Sequence, residues 1–217
     1  MAMSVHIRRL SIADLESCLA VESAAFPPAE AASREKIEYR LVTCPELCYG
    51  LFLDSTSTAP SDAADVPQSA TASTNASHQN ARLIAHVLST RSLSAVVTDQ
   101  DMQLPANWRN NRDKPQDSAK VGHQPNGGTV ALHSLAVSPS HQKLGLGKYL
   151  MSRYIEKMRE MQAVERISIL TYENLVSYYQ ELGFQLLGAS ASNHGGVAWK
   201  DMVYTIDTKT GWRDRSS

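Results

Sequence analysis

The sequence predicts an α+β fold, a single core formed by short strands and helices in irregular alternation. Two observations carry this. Apolar runs of strand length interleave with segments of helical period along the 217 residues. At 42% hydrophobic and 20% charged, the chain can bury one substantial core with loops inserted into it. The stretch around which the rest is organised is LHSLAVSPSHQKLGLGKYL, residues 132–150, which reads as a strand, a glycine-bearing turn and a helix.

In chain order, Val5 to Arg9 is a first candidate strand. Ser11 with Asp14 makes a helix start, and Ile12, Leu15, Cys18, Leu19 and Glu22 carry that helix to about Ala25, where Phe26-Pro27-Pro28 breaks it. Ser33 opens a second helix, with Ile37 and Leu41 on one face, that ends before Pro45. Cys48 to Leu53 is the second strand. Residues 54–80 are almost wholly small and polar, too poor in apolar surface to offset the entropy of ordering, and are expected to be a disordered insertion. Leu83 to Ser89 alternates as a third strand. A second insertion, 99–128, begins with Met102, Leu104 and Trp108; a short helix over a pocket and a plain loop with one docked tryptophan are both compatible with it.

Thr129 to Val137 is apolar on both faces, as a central strand would be. A Ser138-Pro139-Ser140 turn stops it, and Leu146, Leu150, Tyr154, Met158 and Met161 then follow a helical period. Arg166 to Thr171 is another strand. Leu175, Tyr179 and Leu182 line one helix face, closed by Gly183 as a C-terminal cap. Phe184 to Leu187 and Ala198 to Ile206 are the last two strands, and 208–217 reads as a frayed tail.

Composition excludes several classes. A formal charge of −1 offers no basic field for nucleic acid or an anionic membrane, and no apolar run is long enough to span a bilayer. Cys18, Cys44 and Cys48 form neither a CxxC pair nor a zinc-spaced cluster, so no metal is expected. These features, with no apolar leader at the start, lead to the expectation of a reduced, cytoplasmic protein. No association surface is legible, and a monomer is expected.

The turn after the central strand is a candidate pyrophosphate cradle. Helix N-termini leave backbone N–H groups unpaired and carry partial positive charge. Gly145 and Gly147 remove side chains that would hold a phosphate away. The spacing fits neither a P-loop nor a dinucleotide fingerprint. It fits Q-x-x-G-x-G, as Gln142-Lys143-Leu144-Gly145-Leu146-Gly147, although two glycines at a helix start also serve close packing alone.

That hexapeptide resembles the acetyl-CoA motif of the GNAT superfamily of N-acetyltransferases. Tyr179-Gln180-Glu181-Leu182-Gly183-Phe184 resembles the Y-x-x-x-G-F signature that follows it there. Cys44-Pro45-Glu46-Leu47, Leu132-His133-Ser134-Leu135-Ala136-Val137 and Leu175-Val176 leading into Tyr178-Tyr179-Gln180 look like the arylalkylamine (serotonin) N-acetyltransferase family, in a fungal form. The resemblance covers most of the chain outside the two insertions. It implies a single GNAT domain over 1–207, with a mixed, mostly antiparallel seven-stranded sheet, helices on both faces, and a split between the fourth and fifth strands. It implies acetyl-CoA as co-substrate, its pantetheine along Leu135, Ala136 and Val137 and its pyrophosphate over Lys143 to Lys148, with Gln142, Leu144 and Leu146 in the same turn.

The reaction implied is attack of a primary amine on a thioester, by direct transfer in a ternary complex. An alkylammonium has a pKa near 10, so at neutral pH roughly one molecule in a thousand has a free lone pair and a base is required. By resemblance, His133 is the candidate base and Tyr179 the candidate acid for the leaving thiolate. Their plainer readings are a hydrogen-bonded strand histidine and a helix tyrosine packed on the core. The family pattern has H-x-H where this chain has Ala131-Leu132-His133, so the first histidine is missing. Tyr178 is expected to face solvent or a neighbouring strand. Phe26 matches an aromatic that lines the family's amine pocket, and it would equally serve as a helix-end core residue. Polyamine or peptide-amine acetylation, for which Glu30, Asp99 and Asp101 lie in suitable loops, and a non-catalytic acyl-CoA-binding module are the alternatives.

Overall fold

A computed structural model describes residues 4–54, 81–110 and 121–206. Most of the 54–80 insertion, residues 111–120 of the second insertion and the tail 208–217 lie outside the described residues. One sheet runs through the molecule. Its strands are β1 (Val5–Arg9), β2 (Tyr49–Leu53), β3 (Arg82–Ser92), β4 (Thr129–Val137), β5 (Arg166–Thr171), β6 (Gln185–Ala189) and β7 (Lys200–Thr205), in the order β1-β2-β3-β4-β5-β7-β6. Every pairing is antiparallel except β4 with β5, which is parallel. This is the mostly antiparallel seven-stranded sheet that the sequence led us to expect.

Helices α1 (Leu15–Ala25) and α2 (Arg34–Thr43) cover one face. Helix α3 (Leu146–Glu160) covers the other, and the short α4 (Val176–Gln180) packs beside it. The central strands are apolar on both sides because both faces are roofed: Leu83 and Leu88 of β3 turn to the α1–α2 core, while Ile84 and Val87 turn to the α3 core. Helix α3 presents Leu150, Met151, Tyr154, Ile155 and Met158 to the sheet, and the buried Tyr154 hydroxyl donates to Leu47 O (3.1 Å) and lies 2.8 Å from Ser89 Oγ.

The element ends follow local chemistry. The Asp14 carboxylate accepts the Ser11 N–H (2.9 Å) and is forked by Arg8, so the first turn after Ser11 is a tight 3₁₀ turn before α1 begins. Phe26 turns extended and Pro27-Pro28 cannot continue the helix. Ser33 Oγ accepts the Lys36 N–H to cap α2. All three cysteines are buried and free. The described part of the second insertion holds no helix: Trp108 packs edge-on against Tyr39 (5.3 Å), its Nε1 bonds Glu35 (3.3 Å), and Arg109 pairs with Glu35 and Glu38, strapping the loop to α2. Among the described residues, no helix is long and apolar enough to cross a membrane.

Candidate active site

The sheet opens where β4 meets β5. Their parallel pairing runs from Thr129↔Arg166 to Leu132↔Ile169 and stops, while β4 continues pairing with β3 as far as Val137↔Ala85. Beyond Leu132, the β5-facing backbone edge of β4 therefore has no strand partner among the described residues. The divergence begins at an irregularity. Ser89 pairs with Leu132 and Leu88 with Ser134, so His133 is the extra residue of a bulge. A bulge bends its strand and re-aims the side chain it carries.

A cavity fills the opening. Leu132, His133 and Leu135 line it from β4, Leu170 and Thr171 from β5, and Tyr179 from α4. Phe26 at the end of α1, Val97 and Met102 of the strapped loop, and Tyr172, His194 and Trp199 complete its wall. Two pairs of loops are stitched together there by carboxylates. Glu30 accepts from the Tyr172 hydroxyl, and Asp99 accepts from the Ser192 hydroxyl and the Asn193 N–H (3.3 Å). The Tyr172 and Trp199 rings lie 4.9 Å apart.

His133 Nε2 lies 2.8 Å from Thr90 Oγ1 on β3, and Nδ1 is buried without a partner. Burial, reinforced by the Arg40 and Lys36 cations of α2 and by His194, pushes its pKa well below the usual histidine value. The ring is thus held neutral, with a lone pair. Tyr179 is nearly enclosed, and burial with Tyr178 beside it (5.0 Å between centroids) raises its phenol far above the ordinary range. It keeps its proton at any physiological pH, so its hydroxyl remains a hydrogen-bond donor.

Beneath the cavity lies a buried polar cluster. Glu22, 2% exposed, accepts from Ser134 Oγ (2.6 Å), His86 Nε2 (2.8 Å) and the Ala32 N–H (2.9 Å), and it also lines the cavity. Burial alone would raise its carboxyl pKa, but the hydrogen bonds and the His86 charge outweigh it and hold the group below the usual range.

The turn between β4 and α3 has the geometry of an anion cradle. Gly145 caps α3 at φ +78°, and the first bond of the helix is Tyr149 N–H to Gly145 O, which leaves the N–H groups of Leu146, Gly147 and Lys148 ahead of it. A Cβ on Gly147 would come within 3.0 Å of the Tyr178 hydroxyl and 3.4 Å of Val137, so a side chain there would crowd the turn. Gln142 is exposed and its Nε2 donates to Val137 O (3.0 Å), locking the turn to the end of β4. Lys143, at φ 60°, and Leu144 are exposed; Lys148 pairs with Glu181 (2.7 Å). In β4, Leu135 and Val137 turn toward the α3 core and Ala136 toward the α1 core. An open strand edge leading into an unobstructed helix N-terminus fits a long thioester with a diphosphate at its far end.

The structure thus brings Phe26, His133 and Tyr179 to one cavity and gathers the other expected residues along β4 and the α3 turn. Tyr178 differs from expectation: it is half-buried against the first turn of α3, where Gly147 leaves it room. Sequence reasoning placed Glu22 only as a helix residue and missed Thr90, Tyr172, His194 and Trp199. Glu22 carried a signal, an acid on the apolar stripe of α1 with Leu15 and Cys18. The others come from separate loops and strands and carried none.

Comparison with known proteins agrees with this architecture. The model of the acetyltransferase (GNAT) family matches residues 108–184. Serotonin N-acetyltransferase of Mesocricetus auratus is 31% identical over 84 residues, 39% of this chain and 41% of that protein. That of Macaca mulatta is 28% identical over 91 residues, 42% of this chain and 45% of that protein. The chain thus spans less than half the length of these curated relatives. The loading GNATL domain of CurA from Lyngbya majuscula superposes with a TM-score of 0.62 at 14% identity, covering 94% of this chain and 98% of that one. The PaiA N-acetyltransferase from Thermoplasma acidophilum, in complex with coenzyme A, gives 0.55 at 16% identity, covering 94% and 99%. The GNAT family model thus matches the segment that holds the cradle, and the chain shares the fold of these GNAT structures across nearly its whole length.

Proposed function

We propose that this protein transfers the acetyl group of acetyl-CoA to the primary amine of an arylalkylamine, in a ternary complex. The observation that carries this reading is the cavity in the β4–β5 split, where His133 and Tyr179 meet the aromatic rings of Phe26, Tyr172 and Trp199. The open edge at Leu135, Ala136 and Val137 receives the pantetheine arm, and the turn from Gln142 to Lys148 receives the pyrophosphate. That path delivers the thioester beside His133. The amine nitrogen attacks the carbonyl carbon, the C–S bond breaks as the adduct collapses, and the Tyr179 hydroxyl hydrogen-bonds the departing sulfur. The partial sequence likeness to serotonin N-acetyltransferases supports an aromatic acceptor.

A second reading, polyamine acetylation, draws on the carboxylates in the cavity wall. Glu22 already accepts three donors, which leaves Glu30 as the acid able to greet an additional ammonium group. One acid and three aromatic rings favour a monoamine with an aromatic tail.

Thiol release from acetyl-CoA, measured against tryptamine, serotonin, phenylethylamine, spermidine and a lysine-bearing peptide, tests the proposal. A kcat/KM for the aromatic amines at least about tenfold above that for spermidine is expected, since a buried aromatic ring is worth more than 1.4 kcal/mol. Preference for spermidine would replace the acceptor, and acetyl-CoA binding without turnover on any amine would leave only a binding module.

A further inference from the structure

Each turnover of the reaction proposed above releases one proton to water: ammonium plus thioester gives amide, thiol and a proton. The ammonium must first lose a proton to a base. Its lone pair then forms the N–C bond, the C–S bond breaks, and the second N–H proton ends on the thiolate sulfur, completing the thiol.

His133 is badly placed to export the first proton. Its Nε2 is engaged by Thr90, its Nδ1 is sealed without a partner, and cations on α2 oppose a positive charge on the ring. A second acceptor with a way to solvent is needed.

We infer that His194 is that acceptor, the cavity's second histidine, supplied by the loop between β6 and β7. It stands on the short 3₁₀ turn His194–Gly196. Its backbone is fixed on both sides: Trp199 Nε1–H donates to His194 O (2.8 Å), and the His194 N–H points to Ser192 Oγ (3.3 Å). Its ring lines the same cavity as His133 and lies within electrostatic reach of it. Nε2 is 3.4 Å from Glu30 O, and a carbonyl only accepts, so Nε2 carries the hydrogen and Nδ1 keeps its lone pair. The ring is half-buried, and unlike His133 Nδ1 its Nδ1 is not sealed from solvent.

Acidic and phenolic groups gather around this turn. Glu30, from the α1–α2 connection, accepts from Tyr172, at the end of β5, and both line the same cavity as His194, while Asp99 holds the residues just before it. Glu22 of α1 and Tyr179 of α4 line the remainder, while Arg40 and Lys36 stand behind His133. The Arg40 and Lys36 cations thus act on His133, while the Glu30 carbonyl faces His194 Nε2. A proton taken from the ammonium moves toward His194 and leaves through the loop.

This inference rests on the proposed acetyl transfer, and the test keeps the two apart. In the full chain, with the best amine of the panel, His194→Gln preserves a donor to Glu30 O and removes the base. A fall in kcat of about 30- to 100-fold is expected, with loss of the acid limb of the kcat–pH profile and an acetyl-CoA Kd within twofold of the parent. In His194→Ala, added imidazole is expected to restore at least a tenth of kcat, whereas His133→Ala is not rescued. Turnover in the parent with His194→Gln within twofold across the pH range overturns the inference alone. So does a loss in His194→Ala that imidazole leaves untouched while the Gln variant retains its pH profile. No turnover in the parent removes the acetyl-transfer reading, and this inference with it.

Discussion

His133 owes its setting to its neighbours. Leu132 and Ser134 pair with consecutive residues of β3, the residue between them bulges, and the imidazole enters the cavity instead of lying flat in the sheet. Its depressed pKa keeps the ring uncharged well below pH 6.5. His133→Gln is expected to lower kcat by about 10²- to 10⁴-fold with acetyl-CoA affinity nearly unchanged, as read by steady-state kinetics beside calorimetry. Parent-like kcat in that variant would remove His133 from the chemistry. His133 stood out in the sequence because an ionisable residue interrupts a buried apolar strand. His194 and Tyr172 did not, and Glu30 was legible only as a loop acid, since each belongs to a different loop and only the fold brings them together.

The elements were legible where one physical signal dominated. The largely apolar run of β4, the 3.6-residue stripe of α3 and the glycine turn between them predicted strand, turn and helix at nearly the observed bounds. Ends governed by tertiary contact were less legible. β3 runs on from Ser89 to Ser92 because β4 pairs with it there, and the seventh strand starts at Lys200 instead of Ala198. The helix after Ser11 begins as a 3₁₀ turn because Arg8 and the Ser11 N–H both hold Asp14. The loop carrying Trp108 forms no helix among the described residues: its aromatic anchor docks on Tyr39 and its arginine on two glutamates of α2, and this strap sets Met102 in the cavity wall.

The acid response of the whole molecule follows from its buried histidines. His123 accepts the Arg91 N–H at Nδ1 (3.1 Å), and burial, with Arg91 nearby, lowers its pKa to about 4. The unfolded chain, with a histidine near 6.5, binds more protons between those values, so stability falls as the pH drops from about 6.5 toward 4. The loss reaches at most about 3 kcal/mol from His123. His133 adds to it in the same direction. Asp14 and Glu22, whose pKa values are lowered, stabilise the fold above the normal carboxylate range and lose that effect only at still lower pH. Urea midpoints at pH 7, 5.5 and 4.5 are expected to decline stepwise, and less steeply in His123→Gln; a flat series would contradict this assignment.

The central claim is that the splayed β4 edge and the α3 N-terminus hold one extended thioester, its acetyl end beside His133. Titration of the isotopically labelled protein with acetyl-CoA, followed through the backbone amides, tests it most directly. The account predicts the largest shifts at Leu135 to Val137 and Lys143 to Lys148, with the His133 and Tyr179 amides moving at the same ligand concentrations. Shifts confined to other surfaces, or to the α3 turn with β4 unmoved, would contradict it.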